Sequence, residues 1–86
     1  MKHAGEHALD ELEALLAALR PLDGMVERKR GVFYRKSKAF LHFHEDPKGL
    51  FADLRAADGD DFDRFDVTSE AGRATLVRTV EARLRA

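Results

Sequence analysis

Two histidines stand two residues apart in an aromatic run, Phe40-Leu41-His42-Phe43-His44-Glu45-Asp46. In an extended chain, alternate residues share a face, separated by about two rises of 3.3 Å. His42 and His44 are therefore expected side by side, close enough for both imidazoles to reach one metal ion. Two nitrogens are too few for such a site. A catalytic zinc keeps three protein ligands, and a non-haem iron adds a carboxylate to two histidines. Asp53 and Glu45 are the carboxylates that can complete the set, so the candidate metal ligands are His42, His44, Asp53 and Glu45. A His-His-Asp proton-transfer site is a second use of the same residues. The plainer reading is that both histidines are ordinary residues of a solvent-facing or half-buried sheet face. With no certain third ligand, that reading weighs more.

Whether Asp53 can join the pair depends on one hairpin. Asp46-Pro47-Lys48-Gly49 has the composition of a type I turn closed by a glycine bulge. It joins the histidine strand to Leu50-Phe51-Ala52-Asp53-Leu54-Arg55. With a plain loop, His42 faces Asp53, and Leu41, Phe43, Ala52 and Leu54 make a clean apolar face. With the bulge, His42 faces Leu54 and neither face is clean. A one-residue slip reverses a whole strand. Turn chemistry favours the bulge and the apolar pattern favours the plain loop. Burial outweighs turn preference, so the register that puts Leu41 and Phe43 in the core is expected.

A second chemistry lies upstream. Residues 28–38 carry six cations and no acid, although the whole chain has a net charge of −1. Arg28, Lys29, Arg30, Arg35, Lys36 and Lys38 are interleaved with Phe33 and Tyr34. A basic hairpin bearing aromatics can follow a phosphate backbone and stack on bases. Against this stand two plainer roles. Lysines and arginines on a sheet edge block edge-to-edge pairing, and the acidic stretch 58–66 can neutralise the segment within the molecule.

Other chemistry is excluded. There is no Cys, hence no disulfide framework, thiolate zinc site or thiol nucleophile. Asp58, Asp60, Asp61, Asp63 and Asp66 are rich in acid, but an EF-hand begun at Asp58 would place Phe62 and Asp63 where an oxygen ligand and a glycine belong. No glycine-rich phosphate loop or nucleophile elbow occurs. Ser37 and Ser69 are the only serines, and turn and cap roles account for both.

The elements that must position these residues follow from periodicity. Leu9, Leu12, Leu16 and Leu19 recur at helical spacing, so residues 6–20 are expected to form one amphipathic helix ended by Pro21. Residues 25–35 read as strand, with Gly31 marking a bulge or a break into two short strands. Lys36-Ser37-Lys38 is a polar turn. Residues 39–44 and 50–55 form the hairpin described above. Residues 62–67 read as a short last strand with Phe65 and Val67 on one face. Thr68 or Ser69 then caps a helix over about 69–85, striped by Leu76, Val77, Val80 and Leu84. Gly72 is expected to weaken that helix by about 1 kcal/mol relative to Ala. Residues 1–5 and 86 are expected to be disordered ends.

The segment from Phe33 to Asp46, continued through Gly49-Leu50-Phe51-Ala52-Asp53, resembles a small family of bacterial proteins with no assigned activity. The helix–sheet–helix order is also similar to the MmcQ/YjbR-like and TfoX N-terminal domains. The second resemblance implies a small α+β module that binds nucleic acid or a protein partner, and it transfers no functional residue.

The sequence thus predicts a single α+β domain over residues 1–86. Its core is a small antiparallel sheet of three to five strands, with an N-terminal and a C-terminal helix packed on one face. At 86 residues the core is modest, and a homodimer would bury further apolar surface. No apolar run reaches the ~18 residues of a membrane span, and the first residues lack a leader's apolar stretch. The expectation is a cytoplasmic binding or interaction domain without evident catalysis and with no membrane partner. The alternatives are a divalent metal held on His42 and His44, and nucleic-acid binding through residues 28–38.

Overall fold

The computed structural model describes residues 1–86. The order is β1 (Lys2–His3), α1 (Glu6–Glu11), α2 (Glu13–Leu19), β2 (Val26–Lys29), β3 (Val32–Arg35), β4 (Lys38–Asp46), β5 (Gly49–Arg55), β6 (Phe62–Asp66) and α3 (Glu70–Arg85). The strands form one antiparallel sheet in the order β2-β3-β4-β5-β6, and β1 also pairs with β4. Because β5 occupies one edge of β4, β1 lies beyond β3 along the other. The chain is α+β, as its pattern of elements predicts.

The β4–β5 hairpin settles the register in favour of burial. His42 pairs with Asp53, Phe43 with Ala52 and Asp46 with Gly49, leaving only Pro47 and Lys48 in the turn. Lys48 donates its N–H to the Asp46 carboxylate at 3.1 Å, which closes the turn without a bulge. Leu41, Ala52 and Leu54 are completely buried and Phe43 is 3% exposed. They meet Leu9, Leu12, Leu16 and Leu19 from α1 and α2 and Leu76 and Val80 from α3 in one cluster of 17 buried residues. All three helices therefore cover the same face, and the histidine face is left open.

Several local expectations are corrected. Residues 6–20 form two short helices that meet at Leu12, where ψ opens to 5°. Leu12 is completely buried, so the apolar stripe continues through the break. Residues 25–35 take the two-strand form, with Gly31 in the turn at φ 79°. A Cβ there would press on the Leu9 side chain at 2.7 Å, so the hairpin reaches α1 only through a glycine. Residues 1–5 are not a disordered end. Lys2 and His3 pair with Glu45 and His44, and Ala4 donates its N–H to the Phe43 carbonyl at 3.0 Å.

The helix cap is Ser69, whose hydroxyl accepts the Gly72 N–H at 3.1 Å. Thr68 instead joins the sheet, accepting the Leu50 N–H at 2.9 Å. Gly72 is more than a weak helix residue. A Cβ there would collide with the Asp66 backbone carbonyl, so glycine lets α3 start hard against the end of β6. No helix is long and apolar enough to cross a membrane.

Candidate metal centre

Strand alternation places His42 and His44 on the open face, and β1 adds a third imidazole. His3 pairs with His44 across the ladder and so shares its face. Ring centroids are 4.8 Å apart for His3–His44, 5.0 Å for His42–His44 and 6.0 Å for His3–His42. One ring nitrogen from each of the three lies within 4.8 Å of the others. Tetrahedral zinc, with bonds of about 2.0–2.1 Å, would hold such nitrogens about 3.3 Å apart.

The environment leaves these imidazoles short of partners. The Nδ1 atoms of His42 and His44 are buried and make no hydrogen bond. Buried polar atoms are nearly always paired, and an unpaired one costs about 1–3 kcal/mol. Burial pushes the pKa of both histidines down. For His42 the neighbouring His44 adds to this and Asp53 opposes it, and for His44 Asp53 again opposes. Both rings are therefore held neutral, with a lone pair to offer a metal.

Asp53 lies in the cluster but is already engaged. Arg64, its partner across β5–β6, donates Nε to Oδ1 at 2.8 Å and Nη2 to Oδ2 at 2.7 Å. That pairing, more than any other influence, holds the Asp53 carboxyl below its usual range. His44 Nδ1 comes within 3.3 Å of Asp53 Oδ2, but its direction is wrong for a hydrogen bond. Asp53 thus lies beside His44 with both of its oxygens engaged by Arg64.

Glu45 is not brought into the cluster. It points away from His44, where it accepts the Gly5 N–H at 2.6 Å and sits 3.8 Å from the Lys2 ammonium. Its work is to anchor β1 and the start of α1. His3 is the residue that sequence reasoning passed over, because a two-residue strand is too short to show any period. Phe62 closes the far side, its ring 4.9 Å from His42. Beside His3 a cleft of about 580 Å³ opens between β1 and the β2–β3 turn, lined partly by Leu9, Val32 and Phe43.

The basic segment does not form one surface. Arg30 is turned inward on α1 and α2, bound to Glu6, Asp10 and Glu13 at 2.8–3.2 Å. The acids that neutralise it thus come from the first helices and not from residues 58–66. Arg28 stacks on Tyr34 at 5.0 Å. Arg35 donates to the carbonyls of Arg83, Leu84 and Ala86 at the end of α3. Only Lys29, Lys36 and Lys38 are free of internal partners, and β2 and the β3–β4 turn hold them apart.

The chain matches no protein-family model, no curated protein and no solved structure. Any functional reading therefore rests on the residues themselves.

Proposed function

We propose that this chain is a small binding domain whose ligand is a divalent transition-metal ion, held by His3, His42 and His44. One observation carries the reading: three imidazoles each bring a ring nitrogen within 4.8 Å of the other two, and two of those rings hold a buried nitrogen without a partner. A metal on one nitrogen of each ring would fix its tautomer and leave the other nitrogen to donate, as His44 Nδ1, 3.3 Å from Asp53 Oδ2, could do. Imidazole donors suit zinc, copper, nickel and iron and disfavour magnesium and calcium. Three histidines leave a fourth position open, and exposed His3 sets that position toward solvent and the neighbouring cleft.

The test is titration of the tag-free protein with zinc and nickel, read by competition against a chromogenic chelator. The expected result is one ion per chain, with affinity falling about tenfold or more in each of His3→Ala, His42→Ala and His44→Ala. His7, exposed on α1, is the control, and His7→Ala should bind as the parent does. No uptake, or uptake that His44→Ala leaves intact, overturns the reading.

A further inference from the structure

The other end of the sheet carries a concentration of positive charge that the metal cluster does not use. A cleft of about 380 Å³ lies between the β3–β4 turn, the loop after β5 and the end of α3. Five cations line it: Arg35, Lys36, Lys38, Arg55 and Arg83. It shares no lining residue with His3, His42 or His44.

The cations of this cleft are held mostly without carboxylates. Arg20, Arg30, Arg64 and Arg73 all lie against carboxylates. In the cleft only Arg83 does, with Asp63 at 3.2 Å. Arg35 bonds to the carbonyls of Arg83 and Leu84 in α3 and to the main-chain oxygen of Ala86 beyond it, and Arg55 bonds to the carbonyls of Ala39 and Gly59. The carbonyls of Arg83, Leu84, Ala39 and Gly59 are neutral and fix the guanidinium groups without cancelling their charge, whereas the Ala86 oxygen belongs to the carboxyl group of the last residue. Arg35 also lies 5.6 Å over the Phe40 ring and Arg55 4.8 Å over Phe62, which holds them further. Lys36 and Lys38 make no ion pair. The negative end of α3 offsets about half a charge. Asp58, Asp60 and Asp61 sit on the nearby loop, but none of them reaches a cation of the cleft.

The turn that presents Lys36 is itself strained. Lys36 and Ser37 both have positive φ, 52° and 69°, where Asn and Gly are the usual occupants. Strain of this kind is held in place by its surroundings and clusters at functional sites.

From this arrangement we infer a second binding site, for a small phosphorylated molecule that also carries an apolar group. Several fixed cations answer a dianion better than a single carboxylate, and guanidinium donors match phosphate oxygens in geometry. The apolar lining, Ala56 and Ala57 with the nearly buried Phe40, gives the rest of the molecule a ledge. At about 380 Å³ the space suits one small ligand, since such sites run from about 300 to 1,000 Å³.

Phenyl phosphate in phosphate-free, low-salt buffer is the probe, followed by calorimetry and by backbone amide NMR. The expected result is saturable 1:1 binding that shifts the amides of Lys38, Ala56, Ala57 and Gly59. Lys36→Ala/Lys38→Ala should weaken it about tenfold or more. Arg28→Ala/Lys29→Ala, outside the cleft, should leave it unchanged, and inorganic phosphate should bind less tightly. Equal weakening by the two double variants, or no saturation at millimolar ligand, overturns the proposal. So does a single- or double-stranded oligonucleotide that binds more tightly than phenyl phosphate and depends on Arg28 and Lys29, because that would mark a nucleic-acid surface.

Discussion

Leu41 and Phe43 alternate with His42 and His44 along a single strand, yet the two faces they build are stabilised in different ways. On the covered face, burial does the work. Leu41 is completely buried and Phe43 nearly so, against leucines from three helices. On the open face, polar groups sit at comparable depth without an apolar lid. The Asp53 side chain is 10% exposed and that of His44 12%. There the Asp53–Arg64 pair is satisfied and the two histidine Nδ1 atoms are not. A sheet that needed its second face only to be wettable would carry exposed lysines and threonines there. This one spends burial on imidazoles and leaves them unpaired.

The two faces differ most in what they contribute to stability. Phe43→Ala should cost about 3–5 kcal/mol in urea denaturation, from lost transfer energy and the cavity left behind. His42→Ala should cost less than about 1 kcal/mol, because it removes an unsatisfied nitrogen along with the ring. Equal losses would show that the open face is core in all but name.

Metal is the next largest effect. Zinc at a hundred times its dissociation constant should raise stability by about 2.7 kcal/mol. Chelator should reverse the gain, and His44→Ala should not show it. The covered-face variant Phe43→Ala should keep the gain in full, measured from its own lower baseline.

How much of this was legible in the sequence differs between the faces. The covered face was readable because burial recurs with a period: Leu41, Phe43, Ala52 and Leu54 settled the hairpin register against the preference of Asp-Pro-Lys-Gly. The same period also placed His42 opposite Asp53. Two features had no such signal. Phe33 pairs with Leu41 but Tyr34 pairs with Ala39, so Phe40 is the extra residue of a bulge. Strict alternation would put Phe40 among the histidines, whereas it is 3% exposed beside Leu41. His3 was invisible because its pairing depends on a long-range contact, with the Gly5 N–H tied to the Glu45 carboxylate. Arg64 was likewise only one charge in an acidic stretch until β6 set it across from Asp53.

Arg64→Ala sharpens the comparison within the open face. It should destabilise the protein by leaving the buried Asp53 carboxylate without its fork of donors. The Arg64 side chain is 51% exposed, so solvent screening limits the loss. The same change releases Asp53 to bond His44 or to ligate the metal, so zinc affinity should rise while stability falls. A parallel fall in both would show that Arg64 holds the site's shape.

The pH dependence of the metal-free protein follows from the same groups. His42 and His44 have folded pKa values below the usual 6.5, so the unfolded chain binds protons first as pH drops. Their contribution is therefore complete above about pH 6.5 and is lost as pH falls through the lowered folded values. His3, Asp53 and Arg64 face them across β1, β5 and β6 and set how far down that window extends. Asp53, lowered from 3.8, adds a second loss in the same direction at more acid pH. His42→Ala/His44→Ala should erase the first step in chelator-treated protein and keep the second. A first step that survives belongs to other groups.

The smallest effect expected lies in the turn that launches β4 toward both faces. Lys36 and Ser37 adopt the left-handed conformation at both central positions of a two-residue hairpin. A non-glycine residue there costs roughly 1–2 kcal/mol. Glycine removes that cost but gives back roughly 0.5–1 kcal/mol in chain entropy. Ser37→Gly should therefore stabilise the protein by about 0.5–1 kcal/mol, and zinc affinity should not change, because the bulge at Phe40 separates the turn from His42 and His44. If zinc affinity moves with the turn, strain at Ser37 reaches past the bulge, and the open face is positioned by its hairpin as much as by the core beneath it.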